Sequence, residues 1–201
     1  MIIQESFVLP FNVATSWEAF KGIPMLVSCM PGASLQADPI TTEVGSKIDI
    51  LFSVKLGPIS GSFLGMGEVV YDDAQKSGIF SGSGVDRKSN SRVRGEAKFF
   101  LTPTTDQSNT EVRVNVDYSL SGPLAQFSRG AIVQELAASL TRDFANNLKN
   151  NIGRLTDNGL TDAVSDKPSP QMENKNTLDA GSLIWRVVLQ KLKAIFHISK
   201  K

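Results

Sequence analysis

The sequence predicts an α+β protein: a curved antiparallel sheet wrapped around one long helix, then a flexible polar linker and a separate amphipathic helix. Three observations carry this reading. Apolar residues alternate with period two from Ser34 to Ser121, they recur every four residues from Ile132 to Ile152, and the stretch Ser182 to Lys201 is basic and free of acids. The expected division is a folded domain over 1–152, a linker over 153–181 and a terminal helix over 182–201.

The chain opens with an extended apolar segment, 2–9, broken by Pro10 and Asn12. Thr15 or Ser16 is placed to cap a short helix carrying Trp17 and Phe20, and a second short helix, 24–30, stops at Pro31-Gly32. Strands follow at 34–37, 46–56, 59–71, 77–84, 92–102 and 110–120, with Gly57-Pro58 punctuating a tight hairpin. In the last of these, Val112, Val114, Val116 and Tyr118 point one way and Glu111, Arg113, Asn115 and Asp117 the other, so one sheet face is buried and one is wet. Leu64 and Met66 fall on the wet face, which marks a partner surface or a spot covered by a terminal segment.

After Gly122-Pro123, the residues Ile132, Leu136, Leu140, Phe144, Leu148 and Ile152 form one apolar stripe of a long helix. That stripe needs an apolar surface, and the buried sheet face offers one. Between them an apolar cavity is expected, with Phe52, Val54, Phe63, Phe99, Leu101, Phe127, Leu136 and Leu140 as lining residues. Gly61, Gly65, Gly67, Gly78, Gly82 and Gly84 do not read as phosphate loops, because strands stand on both sides of them. Glycine inside strands signals a bent sheet or close approach by another group.

Chemistry is sparse. The only histidine, His197, lies in the tail, and Cys29 is the only cysteine, so histidine-based triads in the domain, an intramolecular disulfide and a cysteine zinc site are all excluded. Cys29, set among Leu26, Val27 and Met30, reads as a packed thiol. Asp72-Asp73 sits at a strand turn, where solvated carboxylates are ordinary. Arg87, Lys88, Arg92 and Arg94 form the one basic cluster of the domain and read as a solvated hairpin or a contact for lipid headgroups or an acidic partner. Neither an enzyme nor a metal protein is expected.

Charge is divided unevenly. Residues 1–150 hold 13 Lys and Arg against 15 Asp and Glu, whereas 181–201 hold 5 against none. An acidic body argues against nucleic-acid binding, and a basic tail favours an anionic surface. Trp185, Leu189, Leu192 and Phe196 share the apolar side of the tail helix, while Arg186, Lys191, Lys193 and Lys200 supply cations, as expected for a helix lying in the plane of an anionic phospholipid membrane. Docking of the tail on its own domain or on a dimer partner is the alternative. No cationic leader precedes an apolar run at the N-terminus, so export is not expected, and a peripheral place on the cytoplasmic face of the membrane follows.

Cys29-Met30-Pro31-Gly32, Val54-Lys55-Leu56-Gly57-Pro58-Ile59 followed by Phe63, and Gly122-Pro123-Leu124-Ala125-Gln126 together resemble the G-subunit family of aerobic carbon monoxide dehydrogenase, within the SRPBCC (START-like, helix-grip) superfamily. The resemblance covers roughly residues 1–152. It implies a helix-grip domain with no covalently bound cofactor that attaches a molybdenum hydroxylase of the carbon monoxide dehydrogenase type to the membrane. It also implies a cavity for a quinone or another apolar ligand. A small enzyme of the polyketide-cyclase type, or a general lipid carrier, is the alternative on the same fold.

Overall fold

A computed structural model describes residues 1–56, 59–128 and 130–158. Eight strands form one antiparallel sheet: β1 (Ile2–Leu9), β2 (Ala33–Leu35), β3 (Ile40–Thr41), β4 (Ser46–Leu56), β5 (Ile59–Asp72), β6 (Ser77–Asp86), β7 (Ser91–Pro103) and β8 (Thr110–Ser121). The order across the sheet is β1-β8-β7-β6-β5-β4-β2, with β3 also paired to β4. Sequence neighbours β4 to β8 pair as hairpins, whereas β1 crosses the whole domain to pair with β8, Phe7 opposite Val112 and Glu5 opposite Val114. The Gly57-Pro58 hairpin tip lies outside the described residues.

Between β1 and β2 lie α1 (Val13–Lys21) and α2 (Ile23–Cys29). The cap of α1 is Asn12, not Thr15 or Ser16. Its side-chain oxygen accepts from the Thr15 amide at 2.9 Å, as asparagine does well at this position. Ser16 is buried, with its hydroxyl turned to the Phe11 carbonyl at 3.5 Å. Trp17 anchors α1 to the sheet: its ring lies 5.8 Å from Tyr71 and its Nε1 donates to Asp73 at 2.6 Å. Asp73 is therefore an anchor at the β5–β6 turn, and Asp72 closes that turn by accepting from the amides of Ala74 and Gln75, both at 3.0 Å.

Two of the motif segments have direct structural causes. Gly32 holds a φ of +78°, and a Cβ there would overlap the Ser53 carbonyl, while the Gly32 carbonyl accepts from the Ser53 amide at 2.8 Å. Gly122, at φ +85°, presses on the β6–β7 turn, where a Cβ would come within 2.7 Å of the Asn90 carbonyl. Both positions need glycine. Gly122-Pro123 opens a short 3-10 helix, Pro123–Phe127, and not the long helix itself; α3 (Ala131–Asn158) begins beyond Gly130, which turns the chain at φ +94°.

The helix α3 runs past the expected end of the domain, so residues 153–158 are helical and not linker. The Thr156 hydroxyl bonds back to the carbonyls of Ile152 and Gly153 in this last stretch. Ile132 is 51% exposed, unlike the rest of its stripe. A strict four-residue repeat turns by about 40° per step on a helix of 3.6 residues per turn, so three steps from Phe144 carry Ile132 off the packed face. Residues 159–201, including the rest of the linker and all of the terminal helix, lie outside the described residues.

Asp86, 2% exposed, organises the β6–β7 turn by accepting from the Ser89 hydroxyl at 2.8 Å and the Lys88 amide at 2.9 Å. Burial works to raise its pKa, but these donors and the amides of Ser89 and Ser62 outweigh it and hold the carboxyl below the usual range. A depressed carboxyl contributes stability above its unfolded value of about 3.9, which is lost as pH falls through the folded value. Asp86→Ala strands these donors, and urea unfolding at neutral pH should show a loss of about 1–3 kcal/mol.

Candidate functional site: an apolar cavity between sheet and helix

The concave face of the sheet and the underside of α3 enclose a cavity of about 590 Å³, within the range that suits small-molecule sites. Its hollowness comes from glycine. Across the inward face, one register row reads Ile48, Gly67, Gly82, Gly95, Tyr118 and the next reads Ile50, Gly65, Gly84, Val93, Leu120. The middle of both rows lacks side chains, and the Phe80 ring lies across this floor where a Cβ on Gly67 would overlap it.

One end is sealed by aromatic rings. Phe20 and Phe99 lie 5.3 Å apart with their rings tilted by 40°, while Phe7 meets Phe144 at 5.9 Å and Tyr71 meets Phe99 at 6.2 Å, both edge-on, a geometry that aromatic pairs favour. The helix α3 is divided at this seal. Phe144 belongs to the seal, Leu148 and Ile152 are buried in the core beyond it, and Leu136 and Leu140, half-buried, face the cavity.

Of the expected lining residues, Phe52, Val54, Phe63, Phe99, Phe127, Leu136 and Leu140 are on the cavity wall. Leu101 is not. It is 3% exposed and packs with Leu9 and Val112 in the core, two residues past Phe99 on the sealed side of the aromatic wall. The expected membrane-binding residues Trp185, Arg186, Leu189, Lys191, Leu192, Lys193, Phe196 and Lys200 lie outside the described residues.

Sequence reasoning passed over several polar residues of the wall, Glu5, Tyr71, Tyr118 and Thr141 among them. The signal for Glu5 was present, since it alternates in phase with Ile3 and Phe7. Both tyrosines are satisfied: the Tyr71 hydroxyl donates to the Phe20 carbonyl at 2.9 Å and that of Tyr118 to the Ser128 carbonyl at 3.0 Å. Burial pushes the Tyr71 phenol up to about 12 and raises that of Tyr118. Glu5 and Thr141 have no hydrogen-bond partner among the described residues.

Cys29 is buried; Asn151 Nδ2 lies 3.1 Å from its sulfur and Asn147 Nδ2 donates to its carbonyl at 3.0 Å, tying α2 to α3. Burial raises its pKa, so the thiol is a packing group. On the convex face, a second hollow of about 430 Å³ brings Arg92 and Arg94 beside Leu64 and Met66, the last 70% exposed. Val93 and Gly95 from the same stretch face the cavity, so the basic side chains of β7 point away from it. Among the described residues no three metal-ligating side chains come together, and no helix is long and apolar enough to cross a membrane.

The family model for the carbon monoxide dehydrogenase G subunit (CoxG) matches residues 9–153. The chain belongs to this family. The CoxG match covers the Cys-Met-Pro-Gly turn, the Gly-Pro turn and most of the cavity wall, while Ile3, Glu5 and Phe7 of the wall precede it. No curated protein matches the chain. Among solved structures, a conserved protein from Geobacillus kaustophilus is similar with a TM-score of 0.60 and 19% identity, over 77% of this chain and 96% of its own. A Thermus thermophilus protein gives 0.59 and 15% over 78% and 99%, and the Zhui aromatase/cyclase from a Streptomyces species gives 0.52 and 8% over 78% and 95%. At these identities the likeness is one of fold, and the CoxG domain has the START-like, helix-grip architecture that its motifs implied.

Alkaline titration tests the cavity wall directly, because the chain has only two tyrosines and both are on it. Absorbance at the phenolate band should rise later in native protein than in denaturant, with Tyr71 ionising near pH 12 and unfolded tyrosines near pH 10. The unfolded chain then releases its protons first, so stability that is intact below about pH 10 should fall between pH 10 and 12.

Proposed function

We propose that this chain is a non-catalytic accessory of a molybdenum hydroxylase of the carbon monoxide dehydrogenase type, which it recruits to the cytoplasmic face of the membrane while its domain holds a quinone or another apolar electron acceptor. The observation that carries this reading is the glycine-floored apolar cavity. A domain built only for docking has no use for a hollow core, since unfilled apolar space forfeits dispersion contacts with every wall atom. Family membership supports the partner, because carbon monoxide dehydrogenase is the enzyme in the family's name.

Recruitment rests on the basic tail. Each cation near an anionic surface contributes about 1 kcal/mol, and the stretch 181–201 has five. A coil of the length of 159–181 would reach roughly 25 Å, enough to raise the concentration of a bound enzyme near the membrane's acceptor pool without strengthening any contact.

Organic extraction of protein purified from its native membranes should release a quinone or comparable lipid, and the stripped protein should melt at a lower temperature, recovering when ligand is added. Ala137→Phe, which places a ring in the cavity from α3, should remove the ligand-dependent part of the melting shift and leave the fold intact. Full-length Lys191→Glu with Lys193→Glu should stop co-sedimenting with anionic vesicles while still binding the hydroxylase. Protein that extracts clean and shows no ligand-dependent shift would reduce the role to that of an adaptor.

A further inference from the structure

The cavity carries one feature that an apolar container does not need. Glu5 sits on the inward side of β1 between Ile3 and Phe7 and lines the cavity, and its side chain has no hydrogen bond or ion pair among the described residues. Phe7, the next inward residue of β1, packs on Phe144 of α3 with ring centroids 5.9 Å apart, so this stretch of β1 lies against the helix. Thr141 also lines the cavity and is also unpartnered among the described residues. A carboxylate turned toward apolar space is unfavourable unless something donates to it. The tyrosine hydroxyls of the same wall cannot supply that donor, because each already donates to a backbone carbonyl.

We infer that Glu5, which shares the cavity wall with Thr141, makes the cavity selective for an apolar ring compound that carries a free hydroxyl. This rests on the ligand-carrier reading above. The carboxylate offers only acceptor oxygens, so it pairs with a hydroxyl and is left facing a carbonyl without a donor. For a ring system that exists in both oxidation states, the cavity therefore favours the reduced diol, whose hydroxyls donate, over the oxidised dione, whose carbonyls only accept. The Thr141 hydroxyl can donate to a carbonyl of the dione, and donate to or accept from a hydroxyl of the diol, so it can bind either form. The protein would then retain the reduced product in preference to the oxidised acceptor.

The test uses full-length protein stripped of lipid, with decylhydroquinone and decylbenzoquinone as probes, measured by anaerobic equilibrium dialysis. Wild type should bind the diol about tenfold or more tighter than the dione, as expected for a hydrogen bond to a charged group. Glu5→Gln keeps the shape but adds an amide donor, so its ratio should fall to within about threefold, with dione binding gained as well as diol binding lost. A purely structural role for Glu5 would weaken both probes together. Equal affinities in wild type overturn the inference without any variant being needed, as does an unchanged ratio in folded Glu5→Gln. Absence of binding by either probe overturns both this inference and the carrier reading, whereas equal binding of the two leaves the carrier reading standing.

Discussion

The aromatic seal formed by Phe7, Phe20, Tyr71, Phe99 and Phe144 is the interaction on which the rest of this domain depends. It joins β1, α1, β5, β7 and α3 at one level, so it fixes both the curvature of the sheet and the height of the long helix above it. Beyond it, Leu9, Leu148 and Ile152 pack as an ordinary core. On its other side the same helix and the same sheet stay apart. One molecule thus contains a solid half, which supplies stability, and a hollow half, which is free to hold something else.

Glycine maintains that separation. A sheet with alternating large side chains would fill its own concavity, and here the inward rows through Gly65 and Gly84, and through Gly67, Gly82 and Gly95, leave the middle strands bare. The cost is strand propensity, since glycine weakens a strand interior. The neighbouring hairpins make up for it with long, unbroken pairing on both sides of the rows. Phe80 then lies over the bare floor and gives it an apolar lining without closing it.

The polar groups divide in the same way. Asp73, Asp86 and Asn151 are all tied to partners that hold turns or helices in place, and both cavity tyrosines are tied to backbone. Asp72-Asp73, expected as solvated carboxylates at a strand turn, closes that turn through Asp72 and anchors Trp17 through Asp73. The motif residues that pointed to the CoxG family are structural as well: Cys29 locks α2 to α3, Gly32 fits under Ser53 and Gly122 fits against Asn90. Family resemblance here is carried by joints of the scaffold, and the cavity is what those joints surround.

Much of this was legible from residue order alone. Period-two alternation fixes which side chains of β4 to β8 face inward, because successive side chains on a strand must point to opposite faces, and the glycine positions mark where that face is thin. The apolar stripe of α3 likewise required a covering sheet. What periodicity cannot express is depth. Leu101 and Phe99 share a face and differ by one step, yet one lies in packed core and the other on a cavity wall; Leu140 and Leu148 share a stripe and are divided in the same way. Nor does local pattern reveal that β1 pairs with β8 from the far end of the domain, the contact that turns Glu5 from an acid in an apolar strand into a carboxylate facing the cavity. Sequence determined the elements, their faces and the family. Only the tertiary structure decided where packing stops and space begins, because that depends on long-range distances between elements and not on the order of residues within them.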